Sequence, residues 1–365
     1  MLEFHYEVFY PLLPLVWLFF LNWFFFFRTN FYTIRIKTVK LDKLNKNNPN
    51  KKFHFSNIIY CGVLHISCLY LYFFLLRGVS GLFFWNHLNI NNLIQKIILL
   101  VLMFNILFLI IILFLRFSRL NYHTDYIFAL LNLNNFLPLL FLSNNLFTMF
   151  FVLEVNSTII FYKFIMSKIW YNRDKNNQKS DRDLLNKNIM KNYINILFFQ
   201  YWTTFFSSTL FLFTLINIIY MYGSTDFFFL NFIEYSLSLR GYYLNYFYKT
   251  VLILILLLSV LLKIGFTPLQ LFKIEIYKGI PFISIFFYTT FYFLVYYLLF
   301  SLLLVVYLFI LNYQIYYCLI IFTIIGGIFV IGLFFDVLAI KAFFAYSSLI
   351  NSILFLNLLL SGTVN

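Results

Sequence analysis

A lysine within a long apolar run is the residue of this chain with the clearest chemical potential. Lys263 lies in the apolar stretch 251–272, five residues before Pro268. An ammonium in such a stretch costs roughly 2.5–3.5 kcal/mol on membrane-insertion scales, so it is expected to have a partner and a function. The proline removes a backbone donor and is expected to break the helix beside the charge. A charged and broken membrane helix indicates ion handling.

Glu154 is the second such charge, near the middle of the apolar stretch 147–162. It could pair with Lys263 from a separate helix, which would lower the desolvation cost of both groups. If the pair opens and closes, the proton affinity of each group depends on their separation, so the pair would act as an element of a proton relay. The alternative is a protonated carboxyl group that is hydrogen-bonded to Asn156 or Ser157.

The remaining candidates for chemistry are weaker. Lys163 lies near the end of a predicted helix and is expected to snorkel into the adjacent basic loop. His65 lies inside an apolar span and could titrate, although a single histidine there is more often a hydrogen-bonded core residue. No metal site and no cofactor site is predicted, because the three cysteines are scattered and no phosphate-binding glycine loop or catalytic triad is present (Cys61, Cys68, Cys318).

The elements that must position these residues are membrane helices. The chain is 63% hydrophobic and 10% charged, whereas soluble domains carry about 25% charged residues. The net charge of +14 could suggest nucleic-acid binding. However, the basic residues fall in loops between apolar spans, so membrane lipid is expected as a partner and nucleic acid is not. The excess of residues with A- and T-rich codons indicates an organellar genome.

Ten spans are predicted, and the fold class is therefore an all-α polytopic membrane protein. The basic residues concentrate in the loops 28–53 and 167–192, on one side of the ten-span topology, as the positive-inside rule expects. The first span is too long for a cleavable signal peptide. The predicted spans are 7–27, 55–76, 97–117, 126–143, 146–166, 193–222, 249–267, 281–311, 315–335 and 347–360.

Three segments of the chain resemble a known family. The first, 262–281, combines a lysine, a proline and an acidic–x–Tyr–x–Gly–x–Pro run (Lys263, Pro268, Glu275, Tyr277, Gly279, Pro281). The second, 142–162, has a central glutamate, Glu154, and the third, 336–354, has a lysine before an Ala-Tyr-Ser-Ser run (Lys341, Ala345, Tyr346, Ser347, Ser348). In order and spacing they resemble the antiporter-like subunits of respiratory complex I, most closely the NADH dehydrogenase subunit 2 family.

The resemblance implies two inverted five-helix repeats, each built around a broken helix. It implies an N-terminal three-helix segment at 1–125, a first repeat at 126–311 and the start of an incomplete second repeat at 312–365. A separate polypeptide is expected to supply the missing helices. Two relay lysines of the family are replaced here, one by Gln200 and one at about Phe293, and Leu269 and Gln270 stand where the family has Phe-His.

The function that the resemblance implies is proton translocation in the membrane arm of mitochondrial complex I. The chain would hold no redox centre and no cofactor, and Glu154 and Lys263 would carry the relay, with Lys341, Gln200 and His65 as further candidates. Its partners would be other membrane-arm subunits in the mitochondrial inner membrane. Two alternatives stay open: a stand-alone cation/proton antiporter, and a structural subunit that has lost pumping.

Overall fold

The computed structural model describes residues 50–75, 80–83, 87–114, 124–173, 182–239, 246–265, 271–280, 282–303, 313–335 and 340–364. The predicted first span, 7–27, and Pro268 lie outside these residues. The described part is helical apart from one short β-hairpin, which confirms the all-α part of the prediction.

The first half begins with helix α1 (Asn50–Leu75). The hairpin β1 (Gly81–Phe83) and β2 (Leu88–Ile90) follows, with Leu82 opposite Asn89 in the antiparallel register. The next helices are α2 (Asn92–Phe114), α3 (Thr124–Leu142) and α4 (Leu146–Arg173).

The second half begins with the long helix α5 (Arg182–Tyr222), then α6 (Phe227–Leu239) and α7 (Tyr246–Ile264). Two short helices follow, α8 (Leu271–Gly279) and α9 (Phe282–Phe287). A π-helical turn (Tyr288–Tyr292) leads into α10 (Phe293–Leu302). The last helices are α11 (Tyr313–Phe334) and α12 (Ile340–Val364).

Six helices of the described part are long and apolar enough to cross a membrane. Lipid offers no hydrogen-bond partners, so a helix that satisfies its own backbone is the structure that such apolar runs must adopt. Each of the six corresponds to a predicted span. Their apolar windows are 92–111, 146–165, 194–222, 285–302, 316–334 and 340–358.

Several helices extend further than the hydropathy pattern predicts. The region 167–192 was expected to be a solvated loop, but α4 continues to Arg173 and α5 already begins at Arg182. Helix α12 begins at Ile340, before the predicted start at residue 347. Hydropathy marks only the part of a helix that crosses lipid, and because lysine and arginine are good helix formers, a helix can continue into water.

The chain divides into two compact units. Unit 1 comprises residues 1–143 and 155–177, and unit 2 comprises residues 144–154 and 178–365. In unit 1, α1 packs against α2 and α3, and α2 also packs against α3. In unit 2, α5 packs against α7 and α8, while α12 packs against α8 and α11. Unit 2 contains Glu154 and Lys263, so it holds the predicted relay pair.

Candidate ion-translocation site

The helix that carries Lys263, α7, ends at the next residue, Ile264, and Gly265 follows it. Gly265 has a φ of +72°, and its N–H donates to the carbonyls of Leu261 and Leu262 at 3.0 and 3.2 Å. A glycine in the left-handed conformation terminates a helix in this way because it has no Cβ to clash. The next helix of the described residues, α8, begins at Leu271. The break therefore begins at Gly265, upstream of Pro268, and a glycine shortly before a proline is the sequence signal that indicates it.

Lys263 forms a buried ion pair with Glu154. Its ammonium donates to the Oε1 atom of the carboxylate, and the two residues come from α7 and α4. The Lys263 side chain is 2% exposed, while that of Glu154 is 31% exposed. A hydrogen bond to a charged group contributes about 1.5–3 kcal/mol, which offsets much of the cost of burying the ammonium. The carboxylate thus faces a buried cation on one side and is partly accessible on the other.

The hydrogen-bonding alternative for Glu154 can be compared directly with this contact. Neither side-chain polar atom of Asn156 has a hydrogen-bond partner within the described residues. The amide of Asn156 is therefore not what satisfies the Glu154 carboxylate. A lysine that is 109 residues away in sequence takes that place.

Helix α5 positions both members of the pair through two contacts that are one turn apart. Ser207 donates a hydrogen bond of 2.8 Å to the carbonyl of Ser259, one turn before Lys263 on α7. The ring of Phe211 stacks on Phe150 at a centroid distance of 5.4 Å, one turn before Glu154 on α4. Residues four apart lie on the same face of a helix. One face of α5 therefore anchors both charged helices close to their charges.

A second buried lysine, Lys273, lies just beyond the break. It belongs to α8, and its side chain is 1% exposed. Its Nζ atom lies 5.9 Å from the ring centroid of Tyr288 and 5.7 Å from that of Phe293. Such cation–π contacts contribute about 0.5–2 kcal/mol each. Among the described residues, no salt bridge links Lys273 to a carboxylate.

The placement of Lys273 corrects a prediction. The predicted spans 249–267 and 281–311 leave it in the loop between them, but the structure buries it. A helix that breaks and restarts can return its second part to the protein core, so a hydropathy window over an unbroken span does not detect the burial. The sequence feature that could indicate this burial is the set of apolar neighbours of Lys273, which are Leu271, Phe272, Ile274 and Ile276.

The snorkelling prediction for Lys163 is wrong. Its side chain is 1% exposed, and its Nζ atom lies 5.7 Å from the ring centroid of Phe108 within unit 1. The physical reason is the length of α4, which continues to Arg173 and places Lys163 inside the helix instead of at its end.

The other predicted residues have environments of their own. Gln200 is buried on α5, and its side-chain oxygen has no hydrogen-bond partner among the described residues. Lys341 lies in the first turn of α12 and donates to the carbonyl of Ile280 at 2.9 Å, which holds the C-terminal end of α8. In unit 1, His65 hydrogen-bonds the side chain of Asn135 through its Nε2 atom at 2.8 Å.

Within the part of the chain that the structure describes, no three His, Cys, Asp or Glu side chains form a group that could hold a metal ion. The ion pair itself brings together an amine and a carboxylate, two groups that can each bind and release a proton.

The apolar helices, the helix that ends at a glycine and the lysine–carboxylate pair belong to a helical membrane protein. Its fold is similar to that of subunits of membrane respiratory complexes. No protein-family model matches the sequence.

Two solved assemblies that contain a similar chain illustrate this likeness. A chain of respiratory complex I from Thermus thermophilus with bound aureothin has a TM-score of 0.56 and 14% identity, and the match covers 82% of this chain and 57% of that one. A chain of the membrane-bound sulfane sulfur reductase, an archaeal respiratory membrane complex, has a TM-score of 0.56 and 13% identity, with coverage of 80% and 57%. This chain thus spans little more than half the length of the structures that it matches.

A mitochondrial protein is similar in sequence over a shorter region. The uncharacterized mitochondrial protein ORF4 of Paramecium tetraurelia is 37% identical over 81 residues. The match covers 21% of this chain and 50% of the Paramecium protein.

Proposed function

We propose that this chain is a proton-translocating membrane-arm subunit of NADH:ubiquinone oxidoreductase, respiratory complex I, in the mitochondrial inner membrane. The observation that carries the proposal is the buried ion pair between Lys263 and Glu154, beside a helix interruption. The likeness of the fold to subunits of membrane respiratory complexes and the similarity to a mitochondrial protein support it. The resemblance of the motif around Glu154 favours subunit 2 among the antiporter-like subunits, with a five-helix repeat around the interruption.

The mechanism follows from the chemistry of the pair. When Glu154 is close to Lys263, the carboxylate stabilises the ammonium and the lysine keeps its proton. When the two side chains separate, the buried ammonium loses that stabilisation and releases its proton to the next acceptor. The interruption at Gly265 lets the end of α7 move without breaking a continuous helix. Redox chemistry elsewhere in the assembly would drive the separation.

The energies involved are compatible with pumping. Moving one elementary charge across 100 mV costs about 2.3 kcal/mol. Removing the partner from a buried ion pair typically costs about 3–5 kcal/mol. The free-energy change on opening one such pair is therefore large enough to drive a proton against a membrane potential of that size.

The test is Lys263→Met in the intact assembly. The methionine retains the volume of the side chain but cannot hold a proton. The assembly is purified, reconstituted into vesicles and supplied with NADH, and the protons moved per NADH oxidised are measured. We expect this ratio to fall while the subunit composition stays unchanged. Lys96→Met is the matched control, because Lys96 is an exposed lysine on α2.

Two outcomes contradict the proposal in different ways. An unchanged proton ratio in Lys263→Met, with normal assembly, would leave a structural subunit as the better description. Purification of the chain from mitochondrial membranes without an NADH-oxidising assembly would favour a stand-alone antiporter instead.

A further inference from the structure

We propose that Lys273 is a second proton-carrying residue of this relay and receives the proton from Lys263 across the helix interruption. The inference rests on the proposed function above. It assigns a role to a buried amine that the sequence pattern placed in a loop.

The first argument is the position of Lys273 relative to the break. A Cβ atom added to Gly265 would lie 3.2 Å from both the Cβ and Cδ atoms of Lys273. The aliphatic part of this lysine therefore packs directly on the residue that ends α7. Gly265 is two residues from Lys263, so the two lysines approach the interruption from opposite sides, one in the last turn of α7 and one in the first turn of α8.

The second argument is the environment of the amine. Lys263 has a carboxylate partner, and Lys341 donates to a backbone carbonyl. Lys273 instead lies over the rings of Tyr288 and Phe293, and no carboxylate pairs with it among the described residues. Aromatic faces stabilise an ammonium but do not fix it as a carboxylate does. A buried amine in this setting can hold a proton and pass it on.

The third argument is the location of the Nζ atom, 5.7 Å from the Phe293 ring centroid. The family that the sequence resembles has a relay lysine at about this position, whereas Phe293 cannot ionise. The fold delivers one there from α8, so an amine occupies this part of the core without a lysine in α10.

The step itself is a proton transfer, which would pass through a bridging water molecule. An N–H bond of the Lys263 ammonium breaks as the water accepts the proton, and the water gives up another proton to the neutral amine of Lys273. Lys263 becomes neutral and Lys273 becomes an ammonium. Repulsion from the next proton loaded on Lys263 then favours release from Lys273 on its far side.

The decisive variant is Lys273→Arg, measured as protons moved per NADH in the reconstituted assembly. An arginine preserves the charge and the contacts with Tyr288 and Phe293, but a guanidinium does not release its proton in proteins. If Lys273 carries protons, the ratio falls to the value found for Lys263→Met. If Lys273 only anchors aromatic rings, the arginine retains the wild-type ratio, and that result overturns the inference.

A relocation variant protects the test against misfolding. Lys273→Leu combined with Phe293→Lys removes the amine from α8 and supplies one at the site that it reaches. We expect Lys273→Leu alone to lower the proton ratio and the double variant to restore it. A double variant that assembles normally but does not restore the ratio overturns the inference, because an amine at this site is then not what proton movement requires.

The controls separate this inference from the proposed function. Lys96→Leu substitutes an exposed lysine and should leave the ratio unchanged. A normal ratio in Lys263→Met defeats the proposed function and this inference together. A reduced ratio in Lys263→Met with a normal ratio in Lys273→Arg defeats only the inference.

Discussion

Gly265→Ala perturbs the helix interruption without changing any charge. The residue has a φ of +72°, and a Cβ there would lie 3.0 Å from Phe272 Cζ and 3.2 Å from the Lys273 stem. Gly223 provides a matched control within unit 2. Its φ is also +72°, but a Cβ there would meet nothing within 4 Å. The two substitutions therefore share the backbone strain and differ in the steric contact.

The expected costs follow from these two terms. Holding an alanine in the left-handed region costs about 1–2 kcal/mol, which is the whole expected effect of Gly223→Ala. Overpacking a filled site costs about 1–3 kcal/mol more, so Gly265→Ala should cost roughly 2–5 kcal/mol. The contact also pushes on Lys273, so Gly265→Ala should lower the proton ratio as well as the stability.

The assay compares wild type, Gly223→Ala and Gly265→Ala in the purified assembly. Thermal dissociation is followed first, and proton movement per NADH is then measured below the dissociation temperature. We expect the dissociation temperature to fall slightly for Gly223→Ala and further for Gly265→Ala. Only Gly265→Ala should lower the proton ratio. Equal effects of the two substitutions on both measurements would refute the assignment of close packing at the interruption.

Two further predictions concern the scaffold around the pair. Gly279→Ala should destabilise unit 2 by about 1–3 kcal/mol because the new Cβ would overlap Ile196 Cδ1, and Ile196→Val should relieve this by removing that atom. Additive thermal shifts in the double variant would contradict the predicted overlap. Ser207→Ala should cost about 0.5–1.5 kcal/mol by removing the hydrogen bond to the Ser259 carbonyl, whereas Thr209→Ala, at an exposed site that bonds within its own helix, should cost less. Equal thermal shifts for the two would argue against the anchoring role of Ser207.

The burial of charges shows where sequence reasoning succeeds and where it stops. Glu154 and Lys263 could be singled out because each charge interrupts a long apolar run, and the cost of inserting such a charge depends mostly on its immediate neighbours. The burial of Lys273 was not predicted because α8 has only about two turns, which is too short for a hydropathy window to identify as a span. Lys163 was misassigned because the end of α4 could not be located from hydropathy.

The position of the helix break was likewise predicted only in part from the sequence. The sequence indicates an interruption near Pro268, while the structure ends α7 at Ile264, just before Gly265 with its positive φ. The choice of stopping point depends on whether the residue there can adopt a positive φ and on what packs against it. The first condition could be read from the glycine itself. The second, the stem of Lys273, lies in the next helix and becomes visible only in the folded chain.

By itself, the sequence determined that this is a helical membrane protein and that charges within its spans need a function. Both conclusions rest on transfer energies that add up residue by residue along the chain. The tertiary structure decided which groups meet: Lys263 with Glu154, Lys273 with the rings of Tyr288 and Phe293. Such contacts join residues far apart in sequence, and they depend on how helices pack on a shared scaffold such as α5, which local transfer energies do not specify.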